Sequence, residues 1–204
     1  MSAASEQFCV RDFVAAKLKY LQSISAEGPQ KAALAELRRG IGHLPGDIPQ
    51  LWGTIFLNCD CAKSISLSQP TKEEWAIYTA LTLFAMHQQG RSIKDEPMNR
   101  TEKGFCLGSA VRRLVPKGDD EAEKRILRRF NSMATSADMR ELSHHLRGLI
   151  QLLRAENIPL DYPQLADDLY RFQFGYDSAA SVRLRWGRDY YRMTDNENNE
   201  KKEG

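Results

Sequence analysis

Arginines recur at helical spacing through the second half of the chain. Arg125 and Arg129 lie four residues apart, as do Lys124 and Arg128, and Arg140, His144 and Arg147 follow at i, i+4 and i+7. Side chains at these intervals share one face of a helix. Arg112-Arg113 come just before, Arg38-Arg39-Gly40 forms a smaller cationic feature, and Arg185, Arg188 and Arg192 share a face near the end. A planar guanidinium meets phosphate oxygens with two parallel hydrogen bonds, where lysine offers a hydrated point charge. A strip of arginines is therefore chemistry for holding a polyanion, not for transforming one. Glu121, Glu123, Glu141 and Asp189 are the carboxylates placed to neutralise the strip from within, and the arginines outnumber them. Arg38 and Arg39 also suit a helix C-terminus, where the dipole favours a cation whether or not a ligand is present.

The other reactive residues do not assemble into a site. Cys59-Asp60-Cys61 has one residue between its cysteines, where zinc sites use two to four and need a second ligand pair, and Cys9 and Cys106 supply none. His87 falls at a helix end, where histidine meets free carbonyls, and His144-His145 straddles its helix with no nucleophile or base motif nearby. HExxH, GxSxG and a phosphate-cradling glycine loop are all missing. Asp167-Asp168 is the nearest acidic pair, but adjacent residues point to different helix faces and make poor co-ligands. No catalytic residue, metal site or cofactor is expected. Trp186 and Tyr190 mix with arginines as a base-stacking surface would, yet they keep the register of Val182 and read as core.

The formal net charge of +2 conceals this concentration. Residues 100–154 carry nine arginines and three lysines against seven acidic residues, a local excess of +5. The first 99 residues balance, 155–181 are acidic, and 182–193 return to +3. With 42% hydrophobic and 27% charged residues, the chain of 204 is composed as a globular protein able to bury a core. No apolar run approaches the roughly 18–20 residues of a membrane span. The N-terminus lacks a cationic start followed by an apolar stretch, so no export signal is expected, and the four cysteines are expected as reduced thiols in the cytoplasm.

The elements that must position the arginines are helices throughout. Thr71-Lys72-Glu73-Glu74 after Pro70 is a capping box, opening a helix with Trp75, Tyr78, Leu81 and Ala85 inward to Gln89. Pro29 suits a first helical turn, continued by Leu34 and Leu37 and stopped at Gly40 and Gly42. Trp52, Ile55 and Phe56 mark a short apolar helix, and 90–104 reads as a loop. Asp119 caps a helix with Ile126, Leu127, Phe130 and Met133 inward, and Ser136 caps the next, with its stripe of Leu142, Leu146, Leu149 and Leu153. Leu165, Leu169 and Phe172 line another helix, and Asp177 starts the last. The expected fold is all-α, two helical bundles joined near residues 90–118. The expected parts are an N-terminal helical domain (1–90), a connecting segment with a short helix (91–118), a C-terminal bundle (119–193) and a disordered tail (194–204).

Over roughly residues 8–192 the pattern resembles the small subunit of Cascade, the type I-E CRISPR surveillance complex, also called the CasB family. The resemblance rests on Leu37-Arg38-Arg39-Gly40, on Trp75 with Leu83-Phe84-Ala85-Met86-His87-Gln88-Gln89, and on Leu107-Gly108-Ser109-Ala110-Val111-Arg112-Arg113-Leu114. Arg128-Arg129-Phe130, Leu142 with His145-Leu146-Arg147, and Asp161 to Leu169 continue it in order. It implies a helical, non-enzymatic subunit present in two copies, head to tail, touching other Cascade subunits, guide RNA and target DNA, with no membrane partner. It places nucleic-acid contacts first on Arg38, Arg39, Arg112, Arg113, Arg128, Arg129 and Arg147. Arg125 and Arg140 join that set on helical spacing alone. The competing reading is a protein–protein adaptor whose basic face meets acidic partners.

Overall fold

The computed structural model describes residues 9–57 and 69–200, with side chains up to Arg192 on the last helix. Within them run nine helices: α1 (Val10–Ser23), α2 (Glu27–Arg39), α3 (Gln50–Phe56), α4 (Lys72–His87), α5 (Leu107–Arg112), α6 (Asp120–Ala134), α7 (Met139–Ala155), α8 (Tyr162–Phe172) and α9 (Tyr176–Glu200). The fold is all-α. No strand occurs among the described residues; Asn99 and Leu160 form a lone parallel bridge that pins the 90–104 loop to the start of α8. Gln88 holds the same loop, its buried side chain accepting from Met98 N–H (2.8 Å) and donating to Glu96 O (3.0 Å). Among the described residues no helix is long and apolar enough to cross a membrane.

Helix α4 starts where the capping box puts it: the Thr71 hydroxyl accepts from Glu74 N–H, and the Glu74 carboxylate accepts from Thr71 N–H at 2.8 Å. It has no solvent face beyond its first turn. Every residue from Ala76 to His87 is buried, against α1, α2, α3, α7 and α8. The inward set Tyr78, Leu81 and Ala85 is thus only part of what α4 buries, and Trp75 is half-exposed. One contiguous hydrophobic cluster runs from Val10 to Tyr190, so the helices before and after the 90–118 segment share a core. On α3 the inward residues are Leu51 and Ile55, and Trp52 is left exposed.

Several helix starts follow their local chemistry. Asp119 accepts from Ala122 N–H to cap α6, and Asp161 accepts from Gln164 N–H to cap α8. The cap of α7 is Asp138, not Ser136: Asp138 accepts from Glu141 N–H, while Ser136 is buried and donates back to Met133 O at 2.8 Å. A hydroxyl at the end of one helix can finish that helix instead of opening the next. Helix α9 continues through Thr194 to Glu200, past the point where composition ends it; residues 201–204 and the Cys59-Asp60-Cys61 motif lie outside the described residues.

Two buried polar groups tie the layers together. His87 Nδ1 lies 2.9 Å from the Tyr162 hydroxyl, joining α4 to α8. Burial, then the charge of Arg91, pulls His87 down to about 4, so it is neutral. On the other side, Asp168 of α8 is 2% exposed and receives Trp186 Nε1–H, the Arg185 guanidinium and Gln164 Nε2–H. Burial, only partly offset by Arg185, raises Asp168 to about 6. Its neighbour Asp167 pairs outward with Arg171 at 2.8 Å. Helix α5 reaches α9 backbone to backbone, because a Cβ on Gly108 would sit 2.1 Å from the Trp186 carbonyl oxygen.

Arg185 therefore leaves the surface set that helical spacing assigns to it with Arg188 and Arg192. Removing its guanidinium strands a buried carboxylate, and Arg185→Ala is expected to cost on the order of 1–3 kcal/mol near neutral pH. Arg188→Ala is expected to stay within about 0.5 kcal/mol. Asp168 has a folded pKa above its unfolded one, so its stabilising contribution is complete below the ordinary carboxyl range and is lost as pH rises through about 6. A protonated Asp168 needs no guanidinium, so the Arg185→Ala penalty should shrink between pH 8 and pH 5. Chemical denaturation of both proteins at the two pH values checks this, His87 cancelling in the difference.

Candidate nucleic-acid interface

The apolar stripe of α7 (Met139, Leu142, Leu146, Leu149, Ile150 and Leu153) faces the core against α4 and α6. That rotation fixes the opposite face. Arg140, His144 and Arg147 point outward in line, and Arg154 continues the line two turns later, half-buried. From Arg140 to Arg154 the stripe spans roughly 21 Å at the helical rise. Its middle is closed on one side by the turn that follows α2. Gly40 to Leu44, the half-exposed Trp75, the buried Tyr78 and Thr79 at the floor, and Arg140, Ser143, His144 and Arg147 together line one open groove. Arg147 Nη1 reaches to 3.5 Å from where a Gly42 Cβ would stand.

The turn is fixed by a close approach. Tyr78 donates its hydroxyl to Gly40 O at 2.9 Å, and a Cβ on Gly40 would meet that hydroxyl at 2.7 Å and Leu51 Cδ1 at 2.9 Å. Burial pushes the Tyr78 phenol up to about 12, keeping it a neutral donor. Arg38 and Arg39 occupy the last turn of α2 immediately before this anchor. Burial, then the charge of Arg154, lowers Arg38 below the ordinary arginine value. Two cationic features far apart in sequence are thus neighbours, Arg38 standing near the C-terminal end of the α7 stripe.

Helix α6 carries the second strip. Ala122, Phe130 and Met133 are buried, and Arg125, Arg128 and Arg129 are exposed on the other side. Three of the four carboxylates placed to neutralise them are engaged elsewhere: Glu121 pairs with Lys124 (2.8 Å), Glu141 accepts from Ala137 N–H and faces His145 (3.8 Å), and Asp189 faces Arg192 (4.0 Å). Among the described residues, Arg125, Arg128, Arg129, Arg140 and Arg147 make no ion pair with a carboxylate. Arg112 and Arg113 are placed differently. Both are half-buried, Arg112 over the Tyr190 ring and Arg113 4.6 Å from the Phe105 ring centroid.

Sequence spacing missed Arg154 and the 40–44 turn. Arg154 lies seven residues after Arg147, so extending the same register finds it; the turn is adjacent only through tertiary packing and leaves no such signal. Among the described residues no group of three His, Cys, Asp or Glu side chains is placed to hold a metal ion. Gly40→Ala is expected to cost about 1–3 kcal/mol through overpacking, and Tyr78→Phe about 1 kcal/mol through its lost hydrogen bond. Thermal melts of the two variants measure both, and an unperturbed Gly40→Ala would contradict the close packing of the turn.

Residues 33–191 match the family model described as CRISPR-associated protein Cse2. CasB from Thermobifida fusca, a crystal structure, is 34% identical with a TM-score of 0.69, over 90% of this chain and 99% of that one. A Cse2-family protein of Thermus thermophilus is 25% identical (TM-score 0.62), over 91% of this chain and 99% of that one. A chain described as part of a CRISPR RNA-guided surveillance complex shares the fold at 22% identity and TM-score 0.67, over 94% and 98%. No individually curated protein matches the sequence.

Proposed function

Because this chain belongs to the Cse2 family of CRISPR-associated proteins, we propose that it is a non-catalytic, cytoplasmic scaffold subunit of a type I-E CRISPR interference complex. Its work is to hold the guide RNA–target DNA heteroduplex and the displaced strand by arginine–phosphate contacts. The observation that carries this reading is the α7 stripe: Arg140 and Arg147 face solvent without carboxylate partners among the described residues, beside a groove whose other wall is the turn after Arg38-Arg39. An unpaired guanidinium facing water is poised for phosphate, and its neutralisation there releases condensed counterions. Arg125, Arg128 and Arg129 extend the cationic surface over α6, which packs on α7. A stripe of roughly 21 Å matches about six nucleotides of stacked strand.

In this role sequence is read by RNA–DNA pairing while the protein holds backbone. Strand exchange is close to balanced in energy, so a few phosphate contacts on the separated state suffice to shift it. The other partners are further Cascade subunits and a second copy of the chain. Arg112 and Arg113, set against aromatic rings, contribute through helix packing as well as charge.

Salt-dependent binding tests the reading. Wild-type affinity for nucleic acid is expected to fall steeply with salt and to be indifferent to sequence. Arg140→Ala with Arg147→Ala is expected to flatten the log–log salt slope by roughly 0.7–0.9 for each phosphate no longer neutralised, with little change in melting temperature. The Arg125, Arg128 and Arg129 triple alanine variant is expected to act in the same direction. A salt slope unchanged in both variants would point to the adaptor reading instead.

A further inference from the structure

Helix α9 has two apolar faces, and only one packs against the described residues. Ala179, Val182, Trp186 and Tyr190 are buried against the rest of the chain. On another side Tyr176, Ala180, Leu184, Gly187 and Tyr191 follow one another at intervals of three and four residues, the spacing of a single helix face. Tyr176 is 80% exposed, Leu184 54% and Tyr191 55%, and Phe174 adds another exposed ring at the turn before the helix. Four of the seven large hydrophobic residues exposed among those described thus gather on or beside one helix. A solvent-facing helix surface is normally polar; a contiguous apolar one marks an interaction site.

Gly187 sharpens the shape. A Cβ added there would meet nothing within 4 Å, so no packing among the described residues requires glycine, although glycine is a poor helix former. Its absent side chain leaves a depression between Leu184 and Tyr191, into which a ridge of a second helix fits. Arg188 and Arg192 border the stripe, exposed, with the Arg192 guanidinium 4.0 Å from the Asp189 carboxylate. Of the four arginines in 182–193, Arg183 and Arg185 turn inward to Ser136 O and Asp168, and Arg188, which makes no ion pair among the described residues, leaves the border of the stripe basic. Leu184, at the centre, has no ring on which a base could stack.

We propose that this outer face of α9 docks an amphipathic helix of a protein partner, one that sets carboxylates beside its apolar stripe. The surface is separate from the α7 groove; only the choice of probe rests on the proposed complex membership. The probe is the subcomplex of the remaining Cascade subunits with guide RNA, purified without this chain and titrated with it. Leu184→Ser combined with Tyr191→Ser, and separately Gly187→Leu, are expected to weaken joining at least tenfold. Melting temperature and the free protein's nucleic-acid binding are expected to hold. Arg188→Glu with Arg192→Glu is expected to weaken joining comparably, while the two lysine replacements retain it. Joining that survives the serine pair overturns the proposal. So does a loss of free nucleic-acid binding equal to the loss of joining, which would make the face a nucleic-acid surface. A flat salt slope in the α7 variants, by contrast, touches only the groove and leaves this face standing.

Discussion

Helix α4 buries twelve consecutive residues, Ala76 to His87, and so has no side of its own to give to water. Its neighbours must each present an apolar stripe to it, and its polar groups must be satisfied inside. Thr82 donates to the Tyr78 carbonyl, Tyr78 to Gly40 O, and His87 Nδ1 meets the Tyr162 hydroxyl. These bonds do more than remove unmet polar groups. They fix where the turn after α2 and the start of α8 sit relative to α4, which van der Waals packing alone leaves freer to slide. Helix α7 is oriented by the same contact, and its cationic stripe faces outward as the direct consequence of its apolar stripe facing α4 and α6.

The far side of the molecule is held by a different device. Gly108 lets α5 lie against the backbone of α9, and Asp168 collects hydrogen bonds from Gln164, Arg185 and Trp186 where α8 meets α9. A buried carboxylate carries a large desolvation cost, visible in its upward shift to about 6. Its return is directional: it specifies which rotation of α9 is native, with Trp186 inward. That rotation leaves Leu184 and Tyr191 outside.

Much of this was legible in the sequence, for identifiable reasons. The Thr71–Glu74 box, the Asp119 cap, the stripes of α7 and α8, and the inward run of Val182, Trp186 and Tyr190 are local signals, set by 3.6-residue periodicity and short-range hydrogen bonding. The arginine register on α6 and α7 is readable for the same reason. Local rules lose their hold where partners come from distant segments. Arg185 shares a register with Arg188, yet it turns to Asp168, seventeen residues earlier on another helix. Ser136 and Asp138 are both good caps by type, and only the path of the chain between α6 and α7 chooses Asp138. The influence of the Arg154 charge on Arg38, and the approach of Arg147 to the 40–44 turn, arise only once the helices that carry them are packed.

The functional account turns on which macromolecule lies along α7. A photo-reactive residue at position 144, between Arg140 and Arg147, reports this without depending on affinity. In the assembled complex bound to target DNA, the account predicts crosslinks from position 144 to nucleic acid and from position 184 to protein. Crosslinks from position 144 to protein alone would contradict it.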